Sequence, residues 1–214
     1  MNNLFLEGTL QTLYMVSLST IVSLILGFPL GLLLVITEKG NIWPKPKFNR
    51  GLNGVINILR SIPFIILMIV VFPLSKILVG KIIGTTAAIV PLSIAAAPFV
   101  ARIMEGSIRE IDRGLIEMSQ SIGSTVWETI RYVLIPEALP SIVSGVTLII
   151  INIIGYSAMA GAIGGGGLGE VAIRYGLYKS GEKHVMYIAL LLIIILVQIV
   201  QFAGNKIMFK IDKK

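Results

Sequence analysis

The chain has 214 residues, of which 55% are hydrophobic and only 14% charged, with a formal net charge of +7. Its mean hydropathy is +0.90. Soluble domains average roughly 45–50% apolar and about 25% charged residues, so this composition describes a polytopic membrane protein. Cysteine is absent and His184 is the sole histidine, which argues against disulfide frameworks, thiolate or His-rich zinc centres and Ser-His-Asp hydrolases.

The opening twelve residues, MNNLFLEGTLQT, contain no lysine or arginine. They lack the basic n-region and small-residue cleavage site of a signal peptide, so the first apolar run is kept as a membrane span. A spanning helix needs about 20 mostly apolar residues. Five runs qualify: Leu13 to Ile36, Ile58 to Val79, Ile82 to Ala101, Ile142 to Ile163, and Val185 to Ala203. The second is the weakest, because Arg60 and Lys76 stand near its ends and must snorkel. Pro29, Pro73, Pro91 and Pro98 fall inside spans, where neighbouring helices can satisfy the freed carbonyls. The third span is rich in small residues (Gly84, Ala87, Ala88, Ala95, Ala96, Ala97) and predicts close helix packing.

The segments between spans fix an orientation. Lys39, Lys45, Lys47, Arg50 and Arg60, then Arg102, Arg109, Arg113 and Arg131, and finally Lys206, Lys210, Lys213 and Lys214 share one side. Lys76, Lys81, Arg174, Lys179 and Lys183 share the other. The positive-inside rule places the larger group in the cytoplasm, giving N-terminus out and C-terminus in. This distribution reads the net positive charge as cytoplasmic loops and removes the need for a nucleic-acid partner. No ionisable residue falls in the interior of any of the five spans. Ion-coupled carriers work with charges at membrane depth, so this absence counts against a secondary transporter. Five helices make a thin bundle, and a pathway lies more naturally between two copies.

About forty residues separate spans three and four, and a long ordered loop usually has a function. Leu115, Met118 and Ile122 give a short helix one apolar face, and Gly123 supplies the left-handed position that closes it. Thr125 and Glu128 are spaced as a capping box that starts a second helix. Val126, Ile130, Val133 and Leu134 stripe that helix, and Pro136 is expected to limit its length. From pattern alone, this pair of amphipathic helices is either a docking surface or a hairpin lying on the membrane. After span four, AIGGGGLGE (residues 162–170) formally matches G-x-G-x-x-G. A dinucleotide site requires a strand before it and a helix after it. Here a membrane helix precedes it, so the glycines read as a bend at the outer end of the bundle.

The forty-residue loop resembles the cytoplasmic motif of permease subunits of ABC-type importers. That motif begins Glu-Ala-Ala, has a glycine six residues after the glutamate, and ends Ile-x-Leu-Pro starting ten residues further on. Glu117, Gly123 and Pro136 match at those spacings. Met118-Ser119 replaces Ala-Ala, Val133 replaces Ile and Ile135 replaces Leu. PEALPSIVSG, GYSAMAGAIGGGGLGE and QFAGNKI are similar to the methionine-importing branch. The resemblance runs over residues 8–205 and implies an all-α, five-helix transmembrane domain of the type I importer kind, with a cytoplasmic coupling segment at about 105–140. It further implies a homodimer in the bacterial cytoplasmic membrane, surrounded by lipid. The implied partners are two cytoplasmic ATP-binding subunits and an extracytoplasmic substrate-binding lipoprotein. No cofactor or catalytic site is implied in this chain, because the partner uses the ATP. The residues agree, since no G-x-x-x-x-G-K-[ST] phosphate loop occurs anywhere. Shifting a two-state equilibrium from 1:99 to 99:1 takes about 5.5 kcal/mol, which a partner must supply.

By position, Glu117 fixes the coupling helices and Gly123 makes their turn, with Glu128 and Pro136 shaping the second helix. Arg131 pairs either with acidic ATPase residues or with Glu128 one turn earlier. Tyr156, Ser157 and Met159, in the outer half of span four, are candidates for the translocation path, with Met159 as an adaptable gate. An importer of another small solute, a channel or secondary carrier, and a structural adaptor are the alternative readings.

Overall fold

The computed structural model describes residues 2–178 and 182–212, and among them every regular element is helical. Lys179, Lys213 and Lys214, counted above in the charge distribution, lie outside the described residues. Four helices are long and apolar enough to cross a membrane, and a bent pair makes the fifth span.

Helix α1 (Asn2–Ile36) continues through Pro29. Its last carbonyls are not left bare. The Asn49 side-chain amide donates to Leu34 O at 2.6 Å, and the backbone N–H of Trp43 donates to Ile36 O at 2.9 Å. Helix α2 (Pro46–Ser61) then meets α3 (Phe64–Val79) at a bend of 105°. The cause is Pro63, which disfavours helical backbone at the residue before it; Ile62 is extended, with ψ 123°. The span expected from Ile58 to Val79 is therefore corrected at its start: the chain turns at Ile62–Pro63 and the apolar helix begins at Phe64.

Helix α4 (Thr85–Arg109) is the centre of the bundle and runs through Pro91 and Pro98. It packs against α1 so closely that a Cβ added at Gly27 or Gly31 would collide with the carbonyl oxygens of Ala97 and Ala101. The small-residue face expected on this span thus meets a second one, Gly27-x-x-x-Gly31, on α1. Leu92, Val100 and Met104 are fully buried along the same helix.

Short helix α5 (Arg113–Ser121) and one-turn helix α6 (Val126–Thr129) follow. Beyond α6 the helix does not stop at Pro136. A wide-turn stretch over Ile130–Leu134 leads directly into α7 (Ile135–Gly161). The Ile135 N–H reaches back to Ile130 O, five residues away, and this wider turn accommodates the proline that lacks its own N–H. The expectation that Pro136 limits the second amphipathic helix is corrected: that helix is continuous with span four, over Val126–Gly161.

Helix α8 (Gly167–Ile173) packs among α1, α7 and α9 (Lys183–Ile211). The last of these buries only Val185, Ala189 and Gly204. Ile193, Val197 and Val200 pack half-buried on the main core, while Leu191, Ile194, Ile195 and Ile199 stay exposed.

Candidate coupling surface and translocation face

The candidate coupling segment is held by three local devices. Asp112 caps α5, its carboxylate accepting from the Gly114 N–H at 2.6 Å. At the other end Gly123 has φ +79°. Its N–H donates to Gln120 O at 3.0 Å, while that of Ser124 donates to Ser119 O at 3.2 Å. These two bonds form a Schellman closure, which needs a left-handed residue at this position. The capping box expected at Thr125 and Glu128 is present: the Thr125 N–H and hydroxyl both donate to Glu128 Oε2 at 2.7 Å. The Thr125 backbone bond first, then its side-chain bond, lowers the pKa of Glu128. Between the two helices the Ser119 and Thr129 hydroxyls are buried and bonded at 2.9 Å.

The apolar face splits in an informative way. Leu115 and Ile116 pack on the core, whereas Met118 and Ile122 are 57% and 76% exposed. Trp127 and Tyr132 are exposed as well. Glu117 is exposed on the same segment. Arg131 makes no ion pair with Glu128 among the described residues, and its guanidinium carbon lies 5.9 Å from the Tyr132 ring centre. The segment is thus a rigid turn presenting apolar and charged side chains outward.

Behind it sits a charged cluster that sequence inspection missed. Glu105 is 5% exposed on α4, outside the span assigned from hydropathy. It pairs with Arg102 and, at 2.9 Å, with Arg109, which also reaches Glu38 at 3.3 Å. Arg102 in turn donates to Asn57 Oδ1 at 2.8 Å. These contacts tie α1, α2 and α4 together. The Arg-x-x-Glu-x-x-x-Arg spacing was a readable signal, since residues three and four apart share a helix face.

In span four, Tyr156 and Met159 share one face and Ser157 does not. Ser157 is buried within the protomer and donates to Ile154 O at 2.7 Å, so it is not grouped with the other two. Tyr156 stacks on Phe64, with ring centres 4.5 Å apart and planes within 5°. Met159 is 46% exposed. Asn152 lies one turn below Tyr156 on the same face, an amide inside an isoleucine run that sequence inspection passed over. Asn152 and Tyr156 border a cavity of about 230 Å³ that also meets Arg60, Phe64, Leu67 and Phe99. Arg60, expected near the end of the second span, lies on α2 before the bend at Pro63, where it is exposed and borders this cavity.

At the opposite end of span four, the glycine-rich segment is a fitted joint. The N–H groups of Gly166, Gly167 and Leu168 donate to Glu170, Gln11 and Thr12 side chains at 3.0, 2.8 and 2.9 Å. The donors that would cradle a phosphate are consumed by the protein itself, in keeping with a bend rather than a dinucleotide loop.

An apolar helical bundle with an outward-presented apolar turn and a polar-edged face along one span has the parts of a transport permease. The chain belongs to the family described as the binding-protein-dependent transport system inner membrane component, which matches residues 24–209. Among its relatives, the probable D-methionine transport system permease protein MetI of Vibrio cholerae is 46% identical over 213 residues, covering 100% of this chain and 94% of that one. The methionine import system permease protein MetP of Bacillus subtilis is 44% identical over 208 residues, covering 97% and 93%. A crystal structure of the MetNI methionine ABC transporter in an inward-facing conformation contains a chain 43% identical to this one. The two superpose with a TM-score of 0.97, covering 100% and 98%. The resemblance to ABC importer permeases, drawn from Glu117, Gly123 and Pro136, is borne out at the level of family and fold.

Proposed function

We propose that this chain is the permease subunit of an ATP-driven methionine importer and works as a homodimer by alternating access. Residues 8–205 form its transmembrane domain, and residues about 105–140 couple it to two cytoplasmic ATP-binding subunits. Substrate arrives from an extracytoplasmic binding lipoprotein. The N-terminus lies outside and the C-terminus in the cytoplasm.

The observation that carries this reading is the exposed apolar turn at Met118, Ile122 and Trp127, held by the Gly123 closure and the Glu128 capping box. Exposed large apolar side chains on a rigid surface mark an interaction site. Glu117 and Arg131 stand beside them without an ion-pair partner among the described residues, and their charges are available to a second protein. Because α6 runs without interruption into α7, a push on the turn is delivered to the helix that carries Tyr156 and Met159. These two side chains, with Asn152, form the translocation face.

The test is uptake of labelled methionine by cells whose own methionine transport is deleted, supplied with this chain together with its ATP-binding subunit and binding lipoprotein. Restored uptake that disappears when Gly123→Val replaces the native chain supports the reading. Uptake of some other solute in methionine's place would reassign the substrate.

A further inference from the structure

Helix α2 turns away from the spans around it. It meets apolar α3 at 105°, so it runs close to the membrane plane where α3 enters the bilayer. Its sides differ. Leu52 and Ile56 face the bundle, packed in one cluster with Leu34 of α1 and Ala101 of α4. To one side of them, the Asn53 carbonyl and the Asn57 side chain accept from Arg102. Arg102 follows Ala101 toward the charged end of α4, at Glu105 and Arg109, so this side points away from the apolar spans. Phe48, Val55 and Ile58 lie to the other side of Leu52 and Ile56, and all three are exposed. At about 100° per residue they form one edge, directed back toward the apolar part of the bundle.

Residues 39–60 carry Lys39, Lys45, Lys47, Arg50 and Arg60 and no carboxylate. Lys45, Lys47 and Arg50 are exposed and make no ion pair among the described residues. The acid that precedes them, Glu38, is engaged by Arg109. Lys47 stands beside Ile58 around the helix. Exposed Trp43 lies under the Lys45 ammonium, 3.8 Å from its ring centre. An apolar edge bordered by unpaired basic residues, with a tryptophan at its end, is the pattern of a helix lying in the headgroup layer. We propose that α2 is an interfacial helix that binds anionic phospholipids selectively. Phe48, Val55 and Ile58 enter the upper acyl region, while Lys45, Lys47 and Arg50 meet the headgroup phosphates. The leaflet on the side proposed above as cytoplasmic carries the negative surface potential that attracts such segments. The apolar edge faces the bilayer, out of reach of a soluble partner. Through Asn49 on Leu34 O and Asn57 on Arg102, lipid held by α2 anchors the ends of α1 and α4.

The experiment reconstitutes the assembled complex of this chain with its ATP-binding subunits in vesicles of phosphatidylcholine and phosphatidylglycerol. A trace of one lipid or the other carries a diazirine on the acyl chain near the glycerol, and labelled peptides are mapped by mass spectrometry. Exposed Leu191, Ile194 and Ile199 on α9 give the reference for ordinary bilayer contact. Relative to α9, residues 46–61 should take the phosphatidylglycerol probe about tenfold or more over the phosphatidylcholine probe, since each basic residue near an anionic surface contributes roughly fivefold. Lys45→Gln, Lys47→Gln and Arg50→Gln together should lower that ratio about fivefold or more. Salt at about 1 M should lower it in the native complex too. Val55→Asn with Ile58→Asn should reduce labelling by both probes. Should the triple variant fail to assemble, the salt dependence of the native complex decides in its place. Equal labelling by the two probes, a ratio unmoved by the triple variant and by salt, or labelling of α9 without α2 would each overturn the proposal. A second copy or an ATP-binding subunit seated on this edge would give the last of these results. The readout is lipid proximity, so such a failure leaves the importer reading standing.

Discussion

Replacing Gly123 tests the coupling turn without disturbing its surroundings. At φ +79° the residue is left-handed, and nothing lies within 4 Å of the position a Cβ would take. The penalty for a side chain there is therefore backbone strain alone, roughly 1–2 kcal/mol for an ordinary L-residue. A β-branched residue fits that region worst, whereas asparagine tolerates it. A cost of that size shifts the ratio of closed to opened turn by a factor of about 5–30. Both Schellman bonds, Gly123 to Gln120 and Ser124 to Ser119, are lost together when the turn opens. The expected order is Gly, then Asn, Ala and Val, in both copurification of the ATP-binding subunit and ATP-driven transport. The membrane bundle should still insert and keep its thermal stability, because no core residue touches Gly123. Full transport by Gly123→Val would refute the assignment. Equal losses in Gly123→Asn and Gly123→Val would show that the glycine acts through something other than its φ.

Met159→Ala should leave assembly and melting temperature unchanged while slowing uptake or raising ATP hydrolysis without substrate; truncating a packed methionine would instead cost about 2–5 kcal/mol. Glu105→Ala removes the shared partner of two arginines and should destabilise the complex by about 3 kcal/mol, measured by thermal unfolding in detergent. The same loss should be largely absent when Glu137, exposed at the start of α7, is changed to alanine. A C-terminal reporter fusion should report a cytoplasmic C-terminus, and activity only outside the cytoplasm would reverse the orientation.

Much of this was readable in the residues, for identifiable reasons. Gly123 and the Thr125–Glu128 pair are local devices, written within four or five residues, and both are present as expected. Span boundaries were legible where hydropathy alone sets them, as at Ile36. They failed at Ile58, because an averaged hydropathy window passes over the backbone restriction that Pro63 imposes on Ile62. Pro136 misled in the opposite direction. A proline stops a regular helix, but a local wide turn at Ile130–Leu134 absorbs it, and that choice is settled by packing of Ile130 and Leu134 rather than by sequence. Tyr156 and Met159 were chosen by residue type, which could not distinguish them from Ser157. Burial separates them. Asn152 stood in plain view among isoleucines and could have been found by asking which polar residue shares a helical face with Tyr156.

The central claim is that ATP hydrolysed by separate subunits drives solute movement through this chain. Its most direct measurement is labelled-methionine accumulation in proteoliposomes containing the chain, the ATP-binding subunits and the binding lipoprotein. ATP must be present on the side that the subunits occupy. The account predicts accumulation above the external concentration that requires ATP hydrolysis and all three components, and that stops with a non-hydrolysable analogue. Accumulation by this chain alone, or equal uptake with the non-hydrolysable analogue, would contradict it.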